Sequence, residues 1–313
     1  MLQVEEAVRR VTFPLPLGID HVHCYLLLGS DGSWTAVDTG LGLLGAREQW
    51  ASLLAELEGR VERIVITHFH PDHVGAAAEL AELTGATVFQ GAEDYGQCVR
   101  TWGEDGISER VPAYLSSHGV PDDEIATFRR EAQTLRRMVR FAQDPQPIAA
   151  GDTVAGWEVL PVPGHADGHL ALHRDGVLIA GDALLASITP NVGLYHDSRP
   201  DPLGDYLSSL ELIERLAPRV AYGGHGVAIE DPAGRARELI SHHHDRLDQA
   251  SAALGGTPQT AYALSYALWP EPLPTALRRF ALAEARAHVE YLVQRDDAAR
   301  SDRAGLVEYS AVS

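Results

Sequence analysis

Apolar positions along the chain follow two rhythms, one of period two and one near three and a half, and their alternation lays out the elements. VHCYLLL (22–28) and SWTAV (33–37) predict strands around a Ser30-Asp31-Gly32 turn. Leu43, Leu44, Arg47, Trp50, Leu53, Leu54 and Leu57 recur at helical spacing, with Gly59 as the stop. RIVIT (63–67) predicts a short strand, a small-residue helix follows from Val74 to Gly85, and TVFQ (87–90) predicts another strand. Residues 91 to about 148 break this rhythm and read as a helical insertion. They announce no strand and one helix, Asp122 to Ala142, whose acidic start and arginine-rich later turns complement the helix dipole. Strands return at WEVLPV (157–162), HLALH (169–173) and VLIAG (177–181). An amphipathic helix from Leu203 to Leu216, a strand RVAYG (219–223) and a polar helix from Asp231 to Leu254 complete this region.

Gly255-Gly256-Thr257-Pro258 reads as a linker, dividing the chain into residues 1–254 and a small unit, 257–313. In that unit TAYALSYALW, TALRRF and LAEARAHVEYLVQR predict three helices, and GLVEYSA a strand after a turn.

Composition narrows the classes. The 313 residues are 45% hydrophobic and 22% charged, which is ordinary globular usage and excludes disordered and collagen-like chains. The two cysteines, Cys24 and Cys98, allow at most one bridge. There is no lysine, so no mechanism can use a catalytic amine. With 44 acidic against 25 basic side chains the net charge is −19, which disfavours nucleic acid as a partner because that affinity comes from neutralising phosphates. The N-terminal stretch lacks a signal-peptide pattern and no segment is long and apolar enough to span a membrane, so a cytoplasmic protein is expected.

The chemistry concentrates after RIVIT, where the chain reads Thr67-His68-Phe69-His70-Pro71-Asp72-His73. His68 and His70 leave a strand end on the same side, so one geometry can bring both imidazoles to one ion while Asp72 and His73 reach a second. His165 in PVPGHADGH, Asp182 after VLIAG and His225 in GGHG each follow an apolar strand. Two ions about 3.5 to 4 Å apart could share Asp182 as a bridging carboxylate. Zinc suits such ligands, and iron or manganese would accept them.

The order HxHxDH, then His, Asp and His, each after a strand, resembles the metallo-β-lactamase superfamily over roughly residues 10 to 250. The resemblance implies a four-layer αββα sandwich in the α/β (α+β) class, with a dinuclear site at one edge and a metal-bridging hydroxide as nucleophile. It assigns His68, His70 and His165 to the first metal, Asp72, His73 and His225 to the second, and Asp182 to both. Asp38 in AVDTG matches the family's aspartate that orients a ligand histidine; its other reading is a turn-forming Asp-Thr-Gly. Asp72 could also move the water's proton.

Departures narrow the branch. Zinc β-lactamases carry a cysteine at the position of Asp182, and lactonases of the family place a tyrosine where this chain has Leu185. Tyr195 and His196 could line the pocket or form an exposed loop. PGHADGH resembles the GHTPGH segment of glyoxalase II, with His169 expected to support the ligands. Residues 257–313 resemble the winged-helix tail of lactamase-like hydrolases, but six arginines against seven acids leave it at −1, so a packing or dimerisation module is expected, with a homodimer as a partner state. The triplet His242-His243-His244 reads as a solvated helix face, since consecutive side chains diverge by about 100°. Arg129, Arg130, Arg136, Arg137 and Arg140 form either a solvated face or a hold for an anionic substrate, with Arg136 and Arg137 as the candidates. Trp102, Tyr114, Phe128 and Met138 are either a lid's apolar wall or the insertion's own core. The expected activity is hydrolysis of a small thioester or ester by two divalent ions, with single-stranded RNA or a lactone as alternatives.

Overall fold

The computed structural model describes residues 1–16, 18–42, 45–103 and 106–312; Leu43 and Leu44 of the expected first helix lie outside them. The first sheet has seven strands in chain order: β1 (Leu2–Glu5), β2 (Val8–Pro14), β3 (His21–Leu28), β4 (Trp34–Val37), β5 (Val61–Ile66), β6 (Thr87–Gly91) and β7 (Gln146–Ile148). It is antiparallel from β1 to β4 and parallel from β4 to β7. Helices α1 (Ala46–Ala55), α2 (Pro71–Val74) and α3 (Ala77–Thr84) connect its parallel strands, and the insertion supplies α4 (Ala92–Trp102), α5 (Ile107–Arg110), α6 (Pro112–Ser117) and α7 (Asp122–Arg136). The second sheet runs β12-β11-β10-β9-β8, from β8 (Thr153–Val154), β9 (Trp157–Pro161), β10 (Leu170–Arg174), β11 (Val177–Gly181) and β12 (Val220–Gly223). Helices α8 (Pro202–Leu216) and α9 (Pro232–Ala253) cover it. The tail adds β13 (Gln259–Thr260), α10 (Ala261–Leu268), α11 (Thr275–Val293), β14 (Ala298–Arg303) and β15 (Leu306–Ala311).

Three apolar cores make this a four-layer αββα sandwich. Val22, Cys24 and Leu26 of β3 face the helices with Trp50 and Leu80, whereas Tyr25 and Leu27 face the second sheet. On β11, Val177 and Ile179 turn to the inter-sheet core and Leu178 and Ala180 to α8 and α9. Strands buried on both faces carry continuous apolar runs, which is why VHCYLLL and VLIAG are legible. The third core runs on from the second sheet through α8 and α9 to α10, α11 and β15.

The structure departs from the sequence pattern where tertiary contacts override local periodicity. The N-terminal strands β1 and β2 and the short β7 carry little apolar alternation, and β7 completes the sheet at the end of a segment that announces no strand. The long insertion helix ends at Arg136 rather than Ala142. Beyond it the Arg140 N–H donates to Gly75 O at 2.7 Å, and Val139 and Ala142 enter the first sheet's outer core. The helix expected from Val74 is broken at Gly75, where a Cβ would come within 2.8 Å of Gly42 N. In the tail, the second and third expected helices are one, α11, and the polar segment AARSDR forms β14. Phe128 closes the insertion's own small core, while Trp102 and Met138 belong to the first sheet's. Among the described residues no helix is long and apolar enough to cross a membrane.

The solvated-face expectation fails at His243, which is wholly buried between α9 and α11. Its Nδ1 lies 3.2 Å from His288 Nε2, and His288 Nδ1 donates to Glu284 O at 2.7 Å. Burial pushes His243 down to about 2 and His288 to about 4, so both stay neutral in the fold. An imidazole depressed in the folded state contributes stability above its unfolded pKa of about 6.5 and loses it as pH falls. Each such group should remove about 2 kcal/mol between pH 7 and pH 5. Urea unfolding of His243→Leu at both pH values should show a correspondingly smaller fall than the parent; equal falls would mean that the pair is not held neutral.

Candidate metal centre

Strand direction gathers the site. β9, β11 and β12 run the same way in the second sheet, as β4 and β5 do in the first, so the residues following their C-terminal ends meet at one edge. His23 N–H donates to Gly224 O at 2.7 Å and Leu170 N–H to Thr67 O at 2.9 Å, which fixes the two sheets to each other there. His68, His70, Asp72 and His73 leave β5 and enter α2; Asp38 follows β4, His165 follows β9, Asp182 follows β11, and His225 follows β12.

Three groups of ligand atoms each fall within 4.8 Å: His68, His70 and His165; Asp72, His73 and His225; and His68, His73 and Asp182. Asp182 lies between the first two groups. Its Oδ2 is 3.3 Å from His225 Nε2 and 3.7 Å from His165 Nε2, and its Oδ1 is 3.4 Å from His73 Nε2. Asp72 Oδ2 is 3.4 Å from His225 Nε2. Position 224 must be glycine for this approach, because a Cβ there would strike Asp182 Oδ1 and lie 2.6 Å from His73 Cε1.

Hydrogen bonds behind the rings set which nitrogen faces inward. His73 Nδ1 donates to Asp38 Oδ2 at 2.8 Å, His225 Nδ1 to His21 O at 2.6 Å, and His165 Nδ1 to Asn191 O at 2.8 Å. Thr67 Oγ1 donates to Asp38 Oδ2 and therefore accepts from His68 Nδ1, 2.9 Å away. Each of these four rings turns Nε2 inward, whereas His70 presents Nδ1, 2.8 Å from His165 Nε2. His68 Nε2, His73 Nε2 and Asp182 Oδ1 are buried without a hydrogen-bond partner among the described residues. Leaving such atoms unpaired costs about 1 to 3 kcal/mol apiece, and divalent cations that take nitrogen and oxygen ligands, one beside His68 and one beside His73, would satisfy them. The donor set therefore fits two such ions.

The fields of the site are strong. Burial, then the neighbouring imidazoles, push His68 and His70 well below the usual histidine range. Burial acts the same way on His73, but the Asp182, Asp38 and Asp72 carboxylates outweigh it and hold this ring raised. Asp182 is held low by His73 and His225 despite its burial.

The remaining expected residues are placed as follows. His169 Nε2 accepts the Asp182 N–H at 3.1 Å and its ring stacks on His68 at 4.5 Å. Tyr195 is half-buried and its hydroxyl donates to Asn191 Oδ1 at 2.9 Å. His196 is exposed and stacks on Tyr114. Arg136 Nε donates to Trp102 O, and the Trp102 indole to Phe69 O between two of the histidines. Arg137 is exposed, while Arg129 and Arg140 pair with Glu109, Glu79 and Glu82. Other groups at the site went unread in the sequence. Buried Asp94 accepts the Phe69 N–H at 2.9 Å. His21 and His23 hold Gly226 of the GGHG turn through its N–H and its carbonyl; their i, i+2 spacing at a strand start was the available signal. Asn191 carried none.

Comparison with known proteins agrees. The family model described as "Metallo-beta-lactamase superfamily" matches residues 17–225, and that described as "Metallo-beta-lactamase-like, C-terminal domain" matches 247–312. The "Probable metallo-hydrolase YqjP" of Bacillus subtilis is 27% identical, covering 92% of each chain. An "Atrochrysone carboxyl ACP thioesterase" of Aspergillus fumigatus is 25% identical over 73% of this chain and 58% of its own. Among solved structures, a metallo-beta-lactamase family protein of Thermus thermophilus is 37% identical with a TM-score of 0.86, covering 99% of this chain and 100% of that one. A beta-lactamase domain protein of Burkholderia ambifaria, 28% identical, has a TM-score of 0.88 over 99% and 94% of the two chains. The chain belongs to the metallo-beta-lactamase superfamily and is a hydrolase.

Proposed function

We propose that the protein hydrolyses a small thioester or ester with two divalent metal ions, zinc by preference. The observation that carries this reading is the buried trio His68 Nε2, His73 Nε2 and Asp182 Oδ1, unpaired and converging. His68, His70 and His165 would hold one ion, Asp72, His73 and His225 the other, and Asp182 both. Two cations bound there would lower the pKa of water toward neutrality and polarise the substrate carbonyl. The chain's own part is positional. Asp38 orients His73, and His169 holds the Asp182 backbone. Asp72, with 14% of its side chain exposed against 8% for Asp182, is the carboxylate best placed to take a proton from water and hand it to the leaving group.

The acyl substrate class rests on three supports. PGHADGH resembles the glyoxalase II segment. The thioesterase relative is 25% identical over 73% of this chain. The tail, residues 257–313 after a catalytic unit of 1–254, has little free positive charge for a phosphate backbone. Arg278 is bound to the carbonyls of Ser265, Trp269 and Glu271, Arg286 to Leu194 O, Arg295 to Asp201 and Arg300 to Glu290. The order helix, strand, helix, helix, strand, strand from α9 to β15 fits a winged-helix unit used for packing. Two buried free thiols, Cys24 and Cys98, fit a reducing cytoplasm. Arg137, exposed, and Arg136, whose terminal nitrogens have no hydrogen-bond partner among the described residues, are the candidates for an anionic leaving group.

Asp182→Ala should lower metal content and abolish turnover across a panel of acyl-CoA and glutathione thioesters; unchanged turnover by the metal-replete variant would sink the bridging role. Cleavage of labelled single-stranded RNA with inert thioesters would overturn the substrate class. Arg137→Ala should raise KM for an anionic thioester severalfold more than for a neutral ester, and equal shifts would remove it from the pocket. Chelation should lower the melting temperature, and restoring zinc to about a thousand times its dissociation constant should add roughly 4 kcal/mol of stability. A melting point indifferent to chelator would contradict a metal site altogether.

A further inference from the structure

The tail helix reaches the candidate metal centre through the loop between β11 and α8. Residues 183–201 join β11 to α8 without helix or strand, so their polar groups depend on partners elsewhere in the fold. Helix α11 supplies them along one face. Leu194 N–H donates to Ala283 O at 3.0 Å, the Asn191 amide donates to Glu284 Oε2 at 2.8 Å, and Gln294 donates to Pro200 O at 2.8 Å. Arg295 pairs with Asp201.

That loop carries the carbonyl behind His165. The acceptors behind the other three inward-facing rings belong to the sheets or their ends: His21 O on β3, Asp38 directly after β4, and Thr67 Oγ1 directly after β5. Asn191 O alone among the four lies away from any strand or strand end. A ligand imidazole is only as well aimed as the acceptor of its outer N–H. Asn191 is clamped by its own side chain, whose amide donates to Glu284 and whose Oδ1 accepts from the Tyr195 hydroxyl at 2.9 Å. Burial pushes the Glu284 carboxyl up to about 7, and the Asn191 amide is the largest contact working against it.

We propose that Asn191 and Glu284 are positioning residues for His165, so that helix α11 of the tail sets the affinity of the first metal site. This rests on the reading of His165 as a ligand. It gives the tail a part in catalysis that needs no nucleic acid and no second subunit.

Calorimetric titration of zinc into the apo protein tests it, with stoichiometry checked by elemental analysis. Glu284→Leu and Asn191→Ala should each weaken one of the two sites about tenfold or more and leave the other unchanged, the scale at which ligand-orienting partners act. Glu284→Gln, which keeps an acceptor oxygen, should stay within about threefold of the parent, a rescue that general destabilisation would not give. His165→Ala serves as the reference. If it leaves both sites intact, the ligand reading itself fails. If it weakens one site while Glu284→Leu and Asn191→Ala bind both ions as the parent does, the ligand stands and the brace is refuted. Should Glu284→Leu fail to fold, Asn191→Ala decides alone, because it keeps the main-chain carbonyl and removes only its clamp.

Discussion

The carboxylate of Asp38 is the point on which the catalytic edge depends. It accepts the Thr67 N–H and hydroxyl, each at 2.8 Å, and the His73 Nδ1–H, so one buried group ties the end of β4 to the end of β5 and to the His73 ring. The backbone accepts strain to put it there, since Asp38 sits at φ 61, a region that aspartate tolerates better than most residues. Through Thr67 the same carboxylate also fixes the tautomer of His68. Two proposed ligands from different positions on the chain thus share one anchor, and a shift of β4 against β5 would be felt by both.

Around that anchor the protein packs imidazoles that repel when charged and carboxylates that repel unless neutralised. The second sheet makes this tolerable by presenting close-packed backbone: Gly224 lies against His73 and Asp182, and His169 takes the Asp182 N–H. The result is a dense, largely buried cluster in which opposite charges carry more weight than at the surface. Rigidity is unequal. Strand ends hold three of the outer hydrogen-bond acceptors, while the fourth relies on a loop and on a helix contributed from beyond residue 257. The tail is therefore joined to the chemistry by geometry, through the same core that joins α11 to α8 and α9.

Much of this was legible in the sequence. Central strands buried on both faces wrote themselves as apolar runs, and HxHxDH with the later His, Asp and His marked every proposed ligand, because ligands follow strands and strands are the strongest local signal here. Edge strands were not legible: β7 and β14 are short or polar and exist because a neighbour offers hydrogen bonds. Periodicity misplaces the end of α7 because Val139 is apolar for a contact with the first sheet, not for another helical turn. His243 looks solvated in the sequence because nothing local announces that α11 will cover it.

The sequence by itself supplied the proposed ligand set and the acidic balance, which depend on residue type and short-range spacing, and its resemblance to the superfamily supplied the layered α/β class. Only the tertiary structure decided which nitrogen of each ring faces inward, where the insertion's aromatics pack, and that Arg278, Arg286, Arg295 and Arg300 of the tail are spent on carbonyls and carboxylates, two of them outside the tail. Those outcomes depend on partners distant in sequence, such as Asn191 with Glu284 or His225 with His21. Hydrogen-bond geometry between such partners is set by how whole layers dock, and no local pattern encodes it.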